Sequence, residues 1–256
     1  MMRSTGDRVP AAGPRGPSTG CGAAVGQIPP TRLVALFLAP GAAVTIAFVL
    51  LAPPAQTLGL PPLAALLAAI AFVLVPIELG IVLWAGPLPH RSPIHARTWL
   101  WLVPVLLVAA FAGSGLGMLV EPAIQTTLFG WLPDWFRDPL QADHVAGYSR
   151  TAWITTLAAY LVLNGVIGPV VEELYFRGYL LPRMQYLGRW APLVNVTLFS
   201  LYHLWSPWQL MSRIIGFAPT VYAVSRWRNV QLGVVVHCML NIISVATVGA
   251  LVLGRL

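Results

Sequence analysis

The stretch VVEELYFRGYL at 170–180 sets two glutamates side by side after an apolar run, TAWITTLAAYLVLNGVIGPVV at 151–171, long enough to cross a bilayer. Only four glutamates occur in the chain: Glu78, Glu121, Glu172 and Glu173. An ionisable side chain inside a bilayer costs about 3 kcal/mol on insertion scales, so its presence points to a site or to a buried partner. Neighbours on a helix point about 100° apart, so Glu172 and Glu173 cannot easily share one task. Arg177 follows Glu173 by four residues, the favourable acid-before-base order for a pair. That pairing leaves Glu172 facing another direction as a carboxylate suited to general-base work. The plainer alternative is a helix-end pair snorkelling into the headgroups, with both acids solvated.

Two other polar clusters interrupt apolar sequence. In NVTLFSLYHLW (195–205), Asn195, Phe199 and His203 are spaced by four and share one helical face. A lone intramembrane histidine is more often a packed, hydrogen-bonded residue than a catalyst. In HCMLN (237–241), His237 and Asn241 are again four apart, and Ser244 continues their stripe. Two adjacent donors on one face can hold an oxyanion; a polar contact between helices uses the same residues. Cys238 lies about 100° from His237 and is not read as a nucleophile. Helix rise puts His237 about 10 Å and His203 about 18 Å into their spans, with Glu172 at a depth comparable to His237. The three groups can therefore meet at one level.

The elements that must position them are membrane helices. The 256 residues are 57% hydrophobic and 9% charged, with a mean hydropathy of +0.76, whereas a soluble domain carries about 25% charged residues. Such a chain cannot cover itself with polar surface, so lipid must surround most of it. The apolar stretches predict an all-α, polytopic integral membrane domain of about seven (7–8) transmembrane helices, at roughly 33–52, 63–85, 99–120, 151–175, 191–205, 208–225 and 230–253. Residues 1–30, rich in Pro and Gly, read as a disordered tail without a signal peptide. Residues 31–256 form the membrane domain. Cys21 and Cys238 sit in contexts too different for a disulfide framework.

The net charge of +7 comes from fifteen arginines without a lysine. In a soluble protein that balance suggests nucleic acid; here topology explains it, and no nucleic-acid partner is expected. With a cytoplasmic N-terminus, eleven arginines fall inside, among them Arg32, Arg183, Arg189, Arg226 and Arg228, while Arg137, Arg150 and Arg255 stay outside. The expected location is the cell membrane, multi-pass, with the glutamates near the cytoplasmic end of the fourth span. In the outer segment, LFGWLPDWFRD (128–138) reads as a surface-lying aromatic anchor.

Taken together, E-E-x-x-x-R (Glu172, Glu173, Arg177), F-x-x-x-H (Phe199, His203) and H-x-x-x-N (His237, Asn241) resemble the CPBP family, which includes the type II CAAX prenyl endopeptidases and bacteriocin-processing or immunity proteins. The three motifs stand in that family's order, with Gly178 after the arginine, and the resemblance covers a core at about 150–250. It implies an intramembrane endopeptidase acting through activated water without a covalent intermediate. Glu172 would be the general base and His203 would hold and polarise the water. His237 and Asn241 would stabilise the oxyanion, with Glu173, Arg177 and Phe199 in support. The implied substrate is a membrane-embedded or lipid-modified peptide or protein, and the implied site needs no cofactor. An arginine-only basic set fits a GC-rich bacterial genome, where prenylated CAAX proteins are not expected.

Three other readings fit the same residues. One carboxylate and two histidines are also a zinc ligand set, though no H-E-x-x-H helix is present. Intramembrane Glu and His also serve as proton relays in transporters, which would recruit Glu78 and Arg213; no repeated, broken-helix half is visible. A non-catalytic scaffold or immunity-type protein of the same fold would tolerate replacement of Glu172 and His203.

Overall fold

A computed structural model describes residues 26–86, 88, 92–140 and 142–255. Of the expected disordered tail, residues 1–25 lie outside the described residues. Residues 26–29 do not behave as a tail: Ile28 is buried and donates its backbone N–H to the Arg183 carbonyl at 3.3 Å.

The described residues are helical throughout, without a strand. Helix α1 (Pro30–Thr57) begins on a proline at its first position, where the missing N–H costs nothing. Helix α2 (Pro62–Ala85) and helix α3 (Ala96–Met118) follow. The short helices α4 (Glu121–Phe129) and α5 (Asp134–Arg137) and a 3-10 turn, Ala142–Gly147, precede the next long rod. That rod runs from Arg150 to Tyr202 through α6 (Arg150–Val162), a π segment (Leu163–Ile167), α7 (Gly168–Glu172), a second π segment (Glu173–Leu180), a 3-10 stretch (Leu181–Trp190) and α8 (Ala191–Tyr202). Helices α9 (Leu210–Trp227) and α10 (Val230–Leu253) complete the bundle.

Each π segment is followed by a proline two residues on. Ile70–Leu74 within α2 is followed by Pro76, Leu163–Ile167 by Pro169, and Glu173–Leu180 by Pro182. The pyrrolidine ring clashes with the carbonyl four residues back and donates no N–H, and a widened turn relieves that clash.

Among the described residues, five helices are long and apolar enough to cross a membrane: α1, α2, α3, the Arg150–Tyr202 rod and α10. The sequence reading expected about seven. The rod joins the fourth and fifth expected spans across a kink with non-helical angles at Met184 and Gly188. Its last part, α8, has 12 residues, or about 18 Å, too short to cross about 30 Å of hydrocarbon. Helix α9, the expected sixth, has 18 residues and carries Arg213 and Arg226.

The helices close a ring in the order α1, α2, α6, α10, α3, α9, α8 and back to α1. Small residues set the tightest crossings. A Cβ on Gly117 of α3 would lie 2.2 Å from the Ser212 Cα of α9, and one on Gly41 of α1 would lie 1.9 Å from the Tyr202 carbonyl oxygen. In lipid, such backbone-to-backbone approach is a main source of helix attraction.

The two ends of the ring follow from cross-chain contacts. At one end Asn229 Nδ2 donates to the Ser92 carbonyl at 2.6 Å, and Ile28 meets Arg183. Arg189, Arg226 and Arg228 belong to this basic end. At the other, Leu63 N–H donates to the Pro139 carbonyl at 2.9 Å, and the Phe129 and Trp208 rings lie 6.0 Å apart. The aromatic segment 128–138 belongs to this second end and is only partly the surface anchor expected. Trp131 is exposed, but Phe136 is buried against Phe48 and Trp208, and Trp135 packs edge-on against Phe48. The segment is a cap docked on the bundle.

Candidate active site

The E-E-x-x-x-R, F-x-x-x-H and H-x-x-x-N residues converge inside the ring. Glu172 ends α7, and Glu173 and Arg177 lie on the widened turns that follow. Glu173 and Arg177 are fully buried, with Arg177 Nη1 3.1 Å from Glu173 Oε1. The contact lacks hydrogen-bond geometry, so charge holds the pair. The guanidinium also lies 4.1 Å from the Phe199 ring centroid and 4.9 Å from that of Phe217, so aromatic faces supply the cation's remaining surroundings. Glu173 Oε2 is packed against α10, where a Cβ on Gly233 would stand 2.3 Å from it.

His237 sits between the two glutamates. Its Nδ1 is 3.1 Å from Glu173 Oε1 and its Nε2 is 3.8 Å from Glu172 Oε2. A carboxylate only accepts, so Nδ1 carries the proton of that hydrogen bond, which fixes the ring and turns Nε2 toward Glu172. The Phe217 and Phe199 rings hold the imidazole edge-on at 4.7 and 6.0 Å. The other Glu172 oxygen, Oε1, accepts a short hydrogen bond from the Tyr202 hydroxyl.

His203 is the first residue beyond α8, with φ −75° and ψ 58°. The chain turns away beyond it, while its side chain keeps the face of Phe199, whose ring centroid lies 4.9 Å from that of the imidazole. Its Nδ1 lies 2.8 Å from the Phe199 carbonyl, so Nδ1 donates and Nε2 is left as the free acceptor nitrogen. Asn195 keeps its place on α8 but serves the core: its Nδ2 donates to the Phe176 carbonyl at 3.0 Å.

Asn241 is placed by the backbone irregularity of the rod. In the π register, Pro169 would have to donate to the Asn164 carbonyl, and proline has no N–H. Asn241 Nδ2 supplies that donor at 2.8 Å. One amide hydrogen is thereby committed and the second stays available.

Glu172, His203, His237 and Asn241 all line one cavity of about 540 Å³, together with Arg213. Arg213 clamps the turn beyond His203, donating to the Ser206 carbonyl at 3.0 Å, to Ser206 Oγ at 2.6 Å and to Gln209 Oε1 at 2.6 Å. Among the described residues, no three His, Cys, Asp or Glu side chains are placed to share a metal ion.

Tyr202, Phe217, Asn164 and Gly233 were not found from sequence. Tyr202 adjoins His203 and Gly233 precedes His237 by one turn, so proximity to the motifs was the available signal for these two. Phe217 and Asn164 carried none.

Residues 154–243, about a third of the chain, match the family model described as Type II CAAX prenyl endopeptidase Rce1-like. No curated protein and no solved structure matches the chain. The matched segment runs from α6 to the middle of α10 and contains every motif residue that meets in the cavity. Residues 154–243 are thus similar to an Rce1-like type II CAAX prenyl endopeptidase domain, within a helical membrane protein.

Proposed function

We propose that the chain is an intramembrane endopeptidase that hydrolyses a peptide bond with water activated by Glu172 and His203. The observation that carries this reading is the meeting of Glu172, His203 and His237 on one cavity, each held by its own hydrogen-bond partner.

Glu172 Oε2 and His237 Nε2, 3.8 Å apart and too far for a direct hydrogen bond, both border the cavity, which has room for a water beside the carboxylate. Glu172 takes a proton from a water in the cavity, and His203 Nε2 accepts its second hydrogen and orients it. The hydroxide attacks the carbonyl carbon, and the carbonyl oxygen becomes an oxyanion. The free amide hydrogen of Asn241, and Nε2–H of His237 when both ring nitrogens are protonated, stabilise that charge. Glu173 supports the charged ring, as a buried carboxylate does for a catalytic histidine. The proton held by Glu172 passes to the leaving nitrogen as the C–N bond breaks, giving a carboxylate and an amine.

The substrate is a membrane-embedded or lipid-modified polypeptide, and the protein lies in the cell membrane with its N-terminus cytoplasmic, by the arginine distribution. This route uses no metal. Cleavage that survives a strong chelator agrees with it, and loss that zinc alone restores would replace it with zinc-assisted hydrolysis.

The test compares membrane peptides, by mass spectrometry, from cells with the intact protein or Glu172→Gln at matched abundance. Polypeptides that stay uncut only in the variant establish the protease and name its substrates. No difference, with His203→Ala equally silent, makes the domain a non-catalytic scaffold.

A further inference from the structure

Two arginines stand near the paired glutamates, and only one of them has a carboxylate to itself. Arg177 is fully buried and lies 3.1 Å from Glu173. Arg213 is half-buried and lines the cavity with Glu172 and His203. Among the described residues, no carboxylate oxygen lies within 4 Å of its guanidinium. Glu172 in the cavity wall and Glu121 at the start of α4 are the acids whose charge reaches it, both from beyond ion-pair distance. Arg137, the other arginine of the lining, is paired with Asp134.

The groups that hold Arg213 are neutral. It donates to the Ser206 carbonyl, to Ser206 Oγ and to Gln209 Oε1, which occupies three of the five N–H groups of a guanidinium. Nε–H and one Nη1–H remain. A cation kept inside an apolar bundle without a contact anion is costly, and such a residue is by default a functional site. The wall offers a further donor. Tyr160 lines the same cavity from α6 and feels the Arg213 charge, and its hydroxyl has no acceptor among the described residues.

Arg213 is also level with the chemistry. Counted from the basic end, His203 lies 12 residues past Ala191 and Arg213 lies 14 residues before Trp227, or about 18 and 21 Å along their helices. Ser206 ties the two together: its N–H donates to the His203 carbonyl at 2.9 Å, and its own carbonyl accepts from Arg213 at 3.0 Å.

We propose that Arg213, aided by the Tyr160 hydroxyl, is a carboxylate-binding subsite of the cavity, and that it selects polypeptides carrying a carboxylate close to the bond that is cut. A singly charged carboxylate suits the site better than a phosphate. Glu172 already places a carboxylate on the same wall, and a group of nearly twice the charge would meet nearly twice the repulsion. A polypeptide offers the required group from its C-terminal end or from an Asp or Glu side chain. Calling the ligand a substrate rests on the endopeptidase reading; carboxylate binding at Arg213 does not need it.

The experiment uses the purified full chain with Glu172→Gln, so that no peptide is cut, and three labelled peptides of one short apolar sequence. One has a free C-terminal carboxylate, one a C-terminal amide, and one is amidated with a Glu in the middle. Kd is read by fluorescence anisotropy in detergent. The expected result is that an acidic peptide binds at least tenfold tighter than the amide, and that adding Arg213→Gln brings all three within about twofold. Preference for the free end assigns a chain terminus, and preference for the Glu peptide assigns a side chain. Equal binding of all three, a preference that survives Arg213→Gln, or no binding of either acid up to about 1 mM overturns the subsite.

Gln209→Ala loosens the clamp on the turn but spares the guanidinium, and should keep the preference; losing it there as in Arg213→Gln would make Arg213 a clamp only. Where Arg213→Gln does not insert, Arg213→Lys is read instead. It keeps the charge without the planar fork, so the preference should fall at least threefold, and an unchanged preference overturns the subsite. A carboxylate preference without Glu172-dependent cleavage in cells sinks the endopeptidase reading alone. Glu172-dependent cuts that fall far from any acidic residue or chain end sink the subsite alone.

Discussion

The two halves of the bundle are built from the same apolar helices and solve opposite problems. The half toward the arginine-bearing loops is filled, with Glu173, Arg177 and the rings of Phe176, Phe199 and Phe217 sharing one layer. The half toward residues 121–147 is hollow and lined by groups that can still form hydrogen bonds. Glu172 and Glu173, adjacent in sequence, fall on either side of that division. One carboxylate borders the cavity and the other is consumed by an arginine and a histidine. The boundary between cavity and filled core therefore passes between two neighbouring residues, set by the 100° step of a helix.

Substitutions on each side should differ in kind. The largest effect belongs to the hollow side: Glu172→Gln removes the base and should lower cleavage by about 10²–10⁴-fold, the range for general-base loss, while thermal unfolding in detergent stays close to that of the intact protein. On the filled side, Arg177→Met should destabilise the fold by about 3–5 kcal/mol, because Glu173 is left as an unpaired buried charge. Its partner experiment sharpens the contrast. Adding Glu173→Gln to Arg177→Met should recover much of that stability without recovering activity, since His237 then lacks its carboxylate.

Next comes the scaffold that holds both halves. Gly117→Val forces α3 away from Ser212 and should cost about 1–3 kcal/mol, the usual penalty for overpacking. The smallest effect expected is that of Tyr202→Phe, which removes the hydroxyl from Glu172. It should slow cleavage about tenfold, equivalent to about 1.4 kcal/mol, with unfolding nearly unchanged. A Tyr202→Phe chain that unfolds as readily as Arg177→Met would place Glu172 with the filled half after all.

Much of this division was legible in the residues. Composition alone required a lipid-embedded helical chain, and the i, i+4 spacing of Glu173 and Arg177 foretold their pairing. Motif order and helix rise allowed Glu172, His203 and His237 to meet at one level, and the structure brings them to one cavity. The span count did not follow, because the apolar run at 191–205 bends out of the helix at His203 and hydropathy does not register that bend. The cap at 128–138 was misjudged for a related reason: tryptophans at an interface and tryptophans docked on a bundle have the same composition. The π turns were written in the sequence as Pro76, Pro169 and Pro182, yet a proline announces a broken ladder without saying which side chain will mend it. Asn241 mends one of these breaks, from 77 residues away.

The filled layer around Arg177 has one more consequence. A hydrated pit reaching deep into a bilayer thins the insulating part of the membrane locally, and a gap in its floor would be a conductance. With that floor shut, water admitted to the cavity would concentrate the electrical potential over the few ångströms of ring and guanidinium beneath the glutamates. A charge crossing that distance feels about 2.3 kcal/mol for each 100 mV. Arg177, which neutralises Glu173, thereby also belongs to the layer that divides the cavity from the basic end.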